Sequence, residues 1–390
     1  MSSTAAGDQT ALERLLAGSV DALPAGRLAE QLASGRPLRV KFGMDPTSPD
    51  IHLGHCVVLQ KLRTFQDLGH TVVLIVGDYT ALIGDPSGRD SGRPVLGGDE
   101  IHQNALTYQQ QAFKVLDPAR TEIRHNSEWL AMPSSELFEL IRRFTVARLL
   151  ERDDFQRRIE ANQPISALEL LYPVMQGYDS VAVEADVELG GSDQRFNLLF
   201  ARDVQEASGQ KAQSILTMPI LVGTDGARKM SKSYGNYVGV EDEPAEMFGR
   251  LMSVPDHLMA DYYLLLLGRN LDPELHPNEA KRALARELVA RFHDQSSATQ
   301  AEERFDAVHK RGEAPADMPT VFLDAGDPVH LPAFLASCFG ISSSEARRLI
   351  GQGGVRLDGN QLEADVLDLP AGELTGKVVQ LGKRRFVKVG

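Results

Sequence analysis

Two cysteines, Cys56 and Cys338, in a chain of 390 residues are too few for a disulfide framework or a cysteine-rich zinc site. Apolar residues make up 42% of the chain, yet no run of them approaches the length of a membrane span. The opening MSSTAAGDQT lacks a basic region followed by an apolar core. A cytoplasmic protein is therefore expected. Positive charge is short as well: 41 Lys and Arg against 54 Asp and Glu leave a formal net charge of −13, which argues against indiscriminate nucleic-acid binding. Neither a Walker P-loop nor a G-x-G-x-x-G fingerprint occurs, nor a low-complexity segment or internal repeat.

The length and the 24% of charged residues suit a soluble globular chain of two or three domains. After an amphipathic opening (ALERLLAGSV), RPLRVKFGMD predicts a strand over 38–44. HCVVLQKLRTFQDLGH predicts a helix stopped at Gly69, with Val57, Val58, Leu62, Phe65 and Leu68 at helical spacing. TVVLIVGD has the continuous apolar character of a buried parallel strand. Strand, helix and strand in about forty residues form a right-handed βαβ unit. Residues 99–180 read as mostly helical, VEADVELGG as a strand, SDQRFNLLFARDVQEA as its helix and TMPILVG as a further strand. RKMSKSYGN is a polar, basic loop, and 244–312 is helical again. The proline-bearing segment EAPADMPTVFLDAGDP reads as a linker before a small helix–helix–strand unit that ends in basic strands.

The chemistry starts from PTSPDIHLGH. His52 and His55 share one face of a first helical turn, near the carboxyl end of a strand. Unbonded N–H groups and the positive dipole end gather there, so an anion is favoured. Gly54 removes a side chain so that a flat group can approach, and Asp50 is placed to cap the helix. A zinc site needs a third ligand that no nearby motif supplies. A bare His-x-x-His is more often a surface feature, and the anion reading needs a second cationic element. RKMSKS supplies it: Lys229 and Lys232 on a flexible loop can follow charge developing on a leaving pyrophosphate. Two basic stretches, residues 142–158 with six arginines and 377–390 with no acid, read by themselves as solvated faces.

PDIHLGH and KMSKS together resemble the two signatures of class I aminoacyl-tRNA synthetases. KFGMDPTSPDIHLGH, IGDPSGR, YPVMQGYD and GGSDQ resemble tyrosyl-tRNA synthetases of the bacterial type, in order and over nearly the whole chain. The resemblance implies an α/β fold. A Rossmann-like parallel-sheet catalytic domain would span 36–243 behind an N-terminal helical segment (1–35), with a helical insertion about 115–165. An α-helical domain on the anticodon side (244–312), a linker (313–327) and a small α+β RNA-binding domain (328–390) would follow. It implies a tyrosine–tRNA ligase that uses ATP with Mg²⁺ as the substrate complex, expects no zinc, pairs as a homodimer through the insertion and takes tRNA(Tyr) as partner. Tryptophanyl-tRNA synthetase and a non-catalytic RNA-binding protein on the same fold are the alternatives.

Carried over residue by residue, Gly43, Asp45, Thr47, His52, Gly54, His55, Gly191, Asp193, Gln194, Lys229 and Lys232 would hold ATP. Thr47, the two histidines, the two lysines, and Arg89 and Arg93 of GDPSGRDSGR would serve the transition state. Asp85, Tyr172 and Gln176 would grip the tyrosine α-ammonium, and Asp179 would accept the phenol hydroxyl. Tyr172, Gln176 and Asp179 stand at i, i+4 and i+7 on one helix face, where Pro173 weakens the helix. Lys41 stands where many relatives carry a tyrosine that also contacts the phenol, and the resemblance places it with the tyrosine-binding residues. A lysine suits this place if its ammonium stays outside the pocket or pairs with a carboxylate. Arg195 follows GGSDQ where a tryptophan is common. The tail ISSSEARRLIGQGGVRLDGNQL resembles a small RNA-binding module shared by a ribosomal protein and several RNA-modifying enzymes. Ser343, Ser344, Arg347 and Arg348 are offered on its helix, with Lys383, Arg384 and Arg385 on the flanking strands, and all five basic residues would contact tRNA phosphates.

Overall fold

A computed structural model describes residues 10–46, 50–85, 97–311, 318–323, 326–382 and 385–390. Thr47, Arg89, Arg93, Lys383 and Arg384 lie outside the described residues. The chain divides into two compact units, one of residues up to 242 with 250–284, the other of 243–249 with 285–390. The helical stretch 244–312 is thus shared between them.

The first unit is built on a six-stranded sheet: β1 (Asp21–Leu23), β2 (Arg39–Met44), β3 (Thr71–Val76), β4 (Thr121–His125), β5 (Val187–Gly191) and β6 (Ser214–Met218), in the order β1-β6-β5-β2-β3-β4. All neighbours are parallel except β1, which runs antiparallel to β6. The central strands are apolar throughout because both faces are covered; Val72, Val73, Leu74 and Ile75 are essentially inaccessible. Burying each such side chain contributes about 1.5–3 kcal/mol.

Helix α1 (Leu53–Asp67) crosses from β2 to β3, as the spacing predicts, and buries Val57, Leu62 and Phe65. Helix α2 (Ala167–Ala182) keeps its course through Pro173, and α3 (Arg195–Ala207) follows β5. Gly177 lets α2 pack tightly on α3, since a Cβ there would stand 2.6 Å from the Val204 side chain. From β2 the chain moves first to β3 on one side, and later returns to place β5 on the other. The carboxyl ends of β2 and β5 therefore flank a topological switch point, where an open α/β sheet leaves a crevice for a ligand.

Three expectations for the first unit are corrected. The helical reading of 99–180 missed β4, an edge strand whose residues are all half-buried and whose TEIRH sequence lacks an apolar run. The strand expected over TMPILVG is Ser214–Met218; Pro219 cannot donate to the ladder, and only an isolated bridge, Val222 with Lys229, follows. The N-terminal segment is not wholly helical, since Asp21–Leu23 forms β1.

In the second unit a five-stranded sheet combines β7 (Thr320–Val321), β9 (Val355–Leu357), β10 (Asn360–Gln361), β12 (Val378–Leu381) and β13 (Arg385–Val389). Strands β8 (Val329–His330) and β11 (Asp368–Leu369) pair separately. Helices α4 (Leu331–Phe339) and α5 (Ser343–Gly351) share a core that includes Leu335, Ala346, Ile350, Val379 and Val387. The segment expected as a linker thus supplies β7, parallel to β13.

Candidate active site

A cavity of about 740 Å³ opens at the carboxyl ends of β2, β3 and β5. Its wall includes Gly43, Asp45, His52, Gly54, His55, Asp85, Tyr172, Gln176, Asp179, Gly191, Asp193, Gln194 and Lys229. Residues spread over nearly two hundred positions are brought to one place by the switch point.

His52 is itself the N-cap of α1. Its Nδ1 accepts the Gly54 N–H at 3.1 Å, and His55 Nδ1 accepts the His52 N–H at 3.2 Å. With both Nδ1 atoms accepting, each neutral ring carries its proton on Nε2. The rings lie 4.0 Å apart. Burial first, then the charge of its neighbour His55 and of Lys232, pulls His52 down to about 2; burial and Lys232 pull His55 down to about 4. The pair is therefore neutral near pH 7 and presents hydrogen-bond donors without adding charge. Gly54 makes room for the cap: a Cβ there would stand 2.9 Å from the His52 ring. Asp50, expected as the cap, instead receives Lys232 Nζ at 2.6 Å. Asp50 stands two residues before the N-cap position, which His52 fills.

The KMSKS loop is pinned by Asn236. Its Oδ1 accepts Ser231 N–H at 2.9 Å, and its Nδ2 donates to Asp225 at 3.0 Å and to the Lys229 carbonyl at 3.1 Å. Lys229 lines the cavity, while Lys232 is held on Asp50. Burial raises Asp193 above the usual carboxylate range, and the charge of Lys229 opposes that rise.

On the opposite wall, Asp45 accepts from Tyr172 Oη at 2.8 Å and from Thr80 Oγ1 at 2.7 Å. Asp179 accepts from Trp129 Nε1 at 2.8 Å and from Asn126 Nδ2 at 3.4 Å. Burial pushes both carboxyls up to about 7, against these hydrogen bonds. Gln194 Nε2 donates to Asp85 at 2.7 Å. Gln176 Oε1 is buried without a hydrogen-bond partner, an acceptor suited to an ammonium.

Lys41 does not reach the cavity. It is inaccessible on β2, and its Nζ meets Glu188 at 2.8 Å, Ser180 Oγ at 2.8 Å and the Gln176 carbonyl at 2.9 Å. Its three donors are occupied, so the expectation of a direct substrate contact is corrected. The physical reason is the β2–β5 register, which sets Lys41 beside Glu188. Arg195 also turns away from the wall, paired with Asp21 at 3.2 Å.

Thr80, Asn126 and Trp129 escaped the sequence reading. The sole tryptophan offered a signal, since a buried indole N–H needs an acceptor. The structure adds Gly77, where a Cβ would come 2.0 Å from Asp45 and 2.5 Å from Thr80. Elsewhere, Arg347 and Arg348 are exposed on α5, whereas Arg385 donates to the Phe339 carbonyl and lies over its ring. Five of the six arginines at 142–158 are engaged within the unit: Arg142 with Glu139, Arg143 with the Ala207 carbonyl, Arg148 with Asp203, Arg152 with Asp154 and Arg158 with Glu169.

A buried helix N-terminus with two neutral donors, a basic loop facing it and an acid-lined pocket beside it on a Rossmann-like sheet are features that a nucleotide-dependent synthetase requires. The profile of the tRNA synthetases class I (W and Y) matches residues 33–310, and the chain belongs to that family. Among its relatives, the tyrosine–tRNA ligase of Oleidesulfovibrio alaskensis is 50% identical over 391 residues, covering 97% of this chain and 98% of the relative. That of Bordetella avium is 52% identical over 377 residues, covering 94% and 91%. A solved, C-terminally truncated mitochondrial tyrosyl-tRNA synthetase of Aspergillus nidulans shares the fold, with a TM-score of 0.63 over 78% of this chain and 98% of its own, at 20% identity.

Proposed function

We propose that this cavity is where the chain joins tyrosine to ATP as tyrosyl-adenylate, with loss of pyrophosphate, before passing the tyrosyl group to the 3′ end of tRNA(Tyr). Tyrosine–tRNA ligation is the activity of relatives at 50% and 52% identity over nearly the whole length, and it is the activity of this chain. The tryptophan alternative draws no support from those relatives.

The reaction is an in-line attack by the tyrosine carboxylate on the α-phosphorus of ATP, which enters with Mg²⁺ as its substrate complex. It needs positioning and charge stabilisation in place of a strong base. His52 and His55 aim Nε2–H donors at the phosphates, while Lys229 and a released Lys232 neutralise the departing pyrophosphate. Gly191, Asp193 and Gln194 take the ribose, with Gly43, Asp45 and Gly54 lining the ATP path. Thr47, Arg89 and Arg93 are assigned to the phosphates by family resemblance. Asp85, Tyr172 and Gln176 receive the α-ammonium, and Asp179 accepts the phenol O–H. A buried acceptor left unpaired by phenylalanine rejects it by about 10⁴–10⁵, the general figure for this enzyme class.

The single observation that carries the reading is the convergence of His52, His55 and Lys229 with Tyr172, Gln176 and Asp179 on one cavity. Amino-acid-dependent ATP–pyrophosphate exchange, run over the twenty amino acids, tests it. Exchange with tyrosine is expected; exchange with tryptophan alone, or none, overturns it.

Three wider assignments belong to the same proposal. The α5 residues Arg347 and Arg348, with Lys383, Arg384 and Arg385, contact tRNA phosphates, supported by the exposure of the α5 pair. The chain works as a homodimer through the insertion, where Phe138, Val146 and Ile159 are exposed apolar side chains. It works in the cytoplasm without zinc; among the described residues no helix is long and apolar enough to cross a membrane.

A further inference from the structure

Lys41 and Glu188 form a fully buried ion pair at the tyrosine pocket, Glu188 on its wall and Lys41 behind it, at 0% and 1% side-chain exposure. Such a pair is costly to desolvate, and apolar residues of similar size would often stabilise the fold as well. Its surroundings suggest another role. The ammonium donates to the Gln176 carbonyl and the Ser180 hydroxyl, which bracket Asp179 on α2. Glu188 in turn accepts from Ser180 at 3.2 Å, from Gln176 Nε2 at 3.4 Å and from Gln213. One charge pair thereby ties the helix carrying the tyrosine-facing side chains to two central strands.

We propose that Lys41 and Glu188 are positioning residues for tyrosine selection: they hold Asp179 and Gln176 in register and set a positive charge on the sealed side of Asp179. This rests on the assignment of Asp179 as the acceptor of the phenol hydroxyl. Lys41 acts through Asp179 and never touches the substrate. After burial itself, the Lys41 charge is the largest influence on the Asp179 carboxyl, and it acts to keep the group ionised. Trp129 and Asn126 act the same way by hydrogen bonding, and Glu188 opposes them more weakly. Asp45 and Tyr172 also feel the Asp179 charge. An ionised Asp179 accepts from the phenol, whereas a protonated one competes as a donor.

The test is the double variant Lys41→Met with Glu188→Gln, which removes both charges together and leaves no buried ion alone. In tyrosine-dependent pyrophosphate exchange, KM for tyrosine should rise about tenfold or more, the scale of a lost charge-assisted contact. KM for ATP and kcat at saturating tyrosine should stay within about threefold of the parent, the signature of lost substrate binding. Selection of tyrosine over phenylalanine should fall at least about tenfold. The acid limb of kcat/KM for tyrosine should move to higher pH, because the lost Lys41 charge outweighs the lost Glu188 charge. A folded variant that keeps tyrosine KM, selection and acid limb overturns the proposal, as does equal loss toward tyrosine and ATP.

Ser180→Ala removes one acceptor of the ammonium without stranding a charge, and should give smaller shifts in the same direction. If the double variant does not fold, unchanged selection in Ser180→Ala overturns the proposal. Asp179→Asn separates the two layers. If it preserves tyrosine selection, the assignment of Asp179 fails; if it abolishes selection while the Lys41 and Ser180 variants keep it, only the positioning role fails.

Discussion

At the scale of single residues, the cavity sets neutral histidine donors beside buried carboxyl acceptors. His52 and His55 are already uncharged well above pH 4, so they impose no acid limb on adenylation near neutrality. His55→Ala should lower the single-turnover rate of adenylate formation by about 10²–10³, the usual cost of a lost transition-state donor. Tyrosine affinity should be unchanged by equilibrium dialysis. The histidines and carboxyls also act oppositely on stability. A histidine lowered from 6.5 in the fold contributes stability above that value and loses it as pH falls. A carboxyl raised from 3.8 to about 7 keeps its proton in the fold after the unfolded chain has released it, so the fold loses stability as pH rises from about 4 to about 7. Asp179→Asn should therefore raise Tm at pH 8 relative to the parent and change it little at pH 4. The scale is about 2–4 °C per kcal/mol for a large domain. Calorimetry at the two pH values reads the difference directly, and equal shifts at both would remove the buried-charge explanation.

At the scale of elements, the KMSKS loop is a basic arm held by two different devices. Asn236 fixes its base through contacts with Asp225, Ser231 and Lys229, and Asp50 holds Lys232 at the foot of α1. Lys232→Ala should slow adenylation much more than it weakens tyrosine binding, since the partner proposed for it is the leaving group. Unchanged single-turnover adenylation would refute that role. Asn236→Ala should lower the same rate by up to about 10²-fold, because a loop displaced by about an ångström forfeits positioning. Stopped-flow adenylation with saturating tyrosine and ATP distinguishes both effects from lost affinity. Helix α2 makes the complementary point: Tyr172, Gln176 and Asp179 converge as their spacing implied, and Pro173 does not interrupt them.

At the scale of the whole molecule, net charge and local charge have different consequences. The chain is strongly acidic, yet α5 exposes Arg347 and Arg348. Arg347→Glu with Arg348→Glu should raise KM for tRNA and lower its salt dependence by roughly 0.7–0.9 per phosphate contact removed. Pyrophosphate exchange should be untouched. Removing residues 313–390, so that β7 leaves with its partner β13, should likewise spare adenylation and weaken charging. Equal loss of both activities would make the tail structural.

The sequence by itself determined the βαβ frame, the histidine turn, the lysine loop and the shared helix face of Tyr172, Gln176 and Asp179, because each is a local pattern of periodicity or residue type. Strand β4 was illegible because an edge strand needs no apolar run. Tertiary structure alone decided which charges meet. The β2–β5 register placed Glu188 beside Lys41, turning an unexplained lysine in the strand into a buried partner. The fold likewise delivered Trp129 to Asp179 and Lys232 to Asp50 across 50 and 182 positions. Partners this distant leave no periodic trace in a chain; their distances are set by strand order and packing.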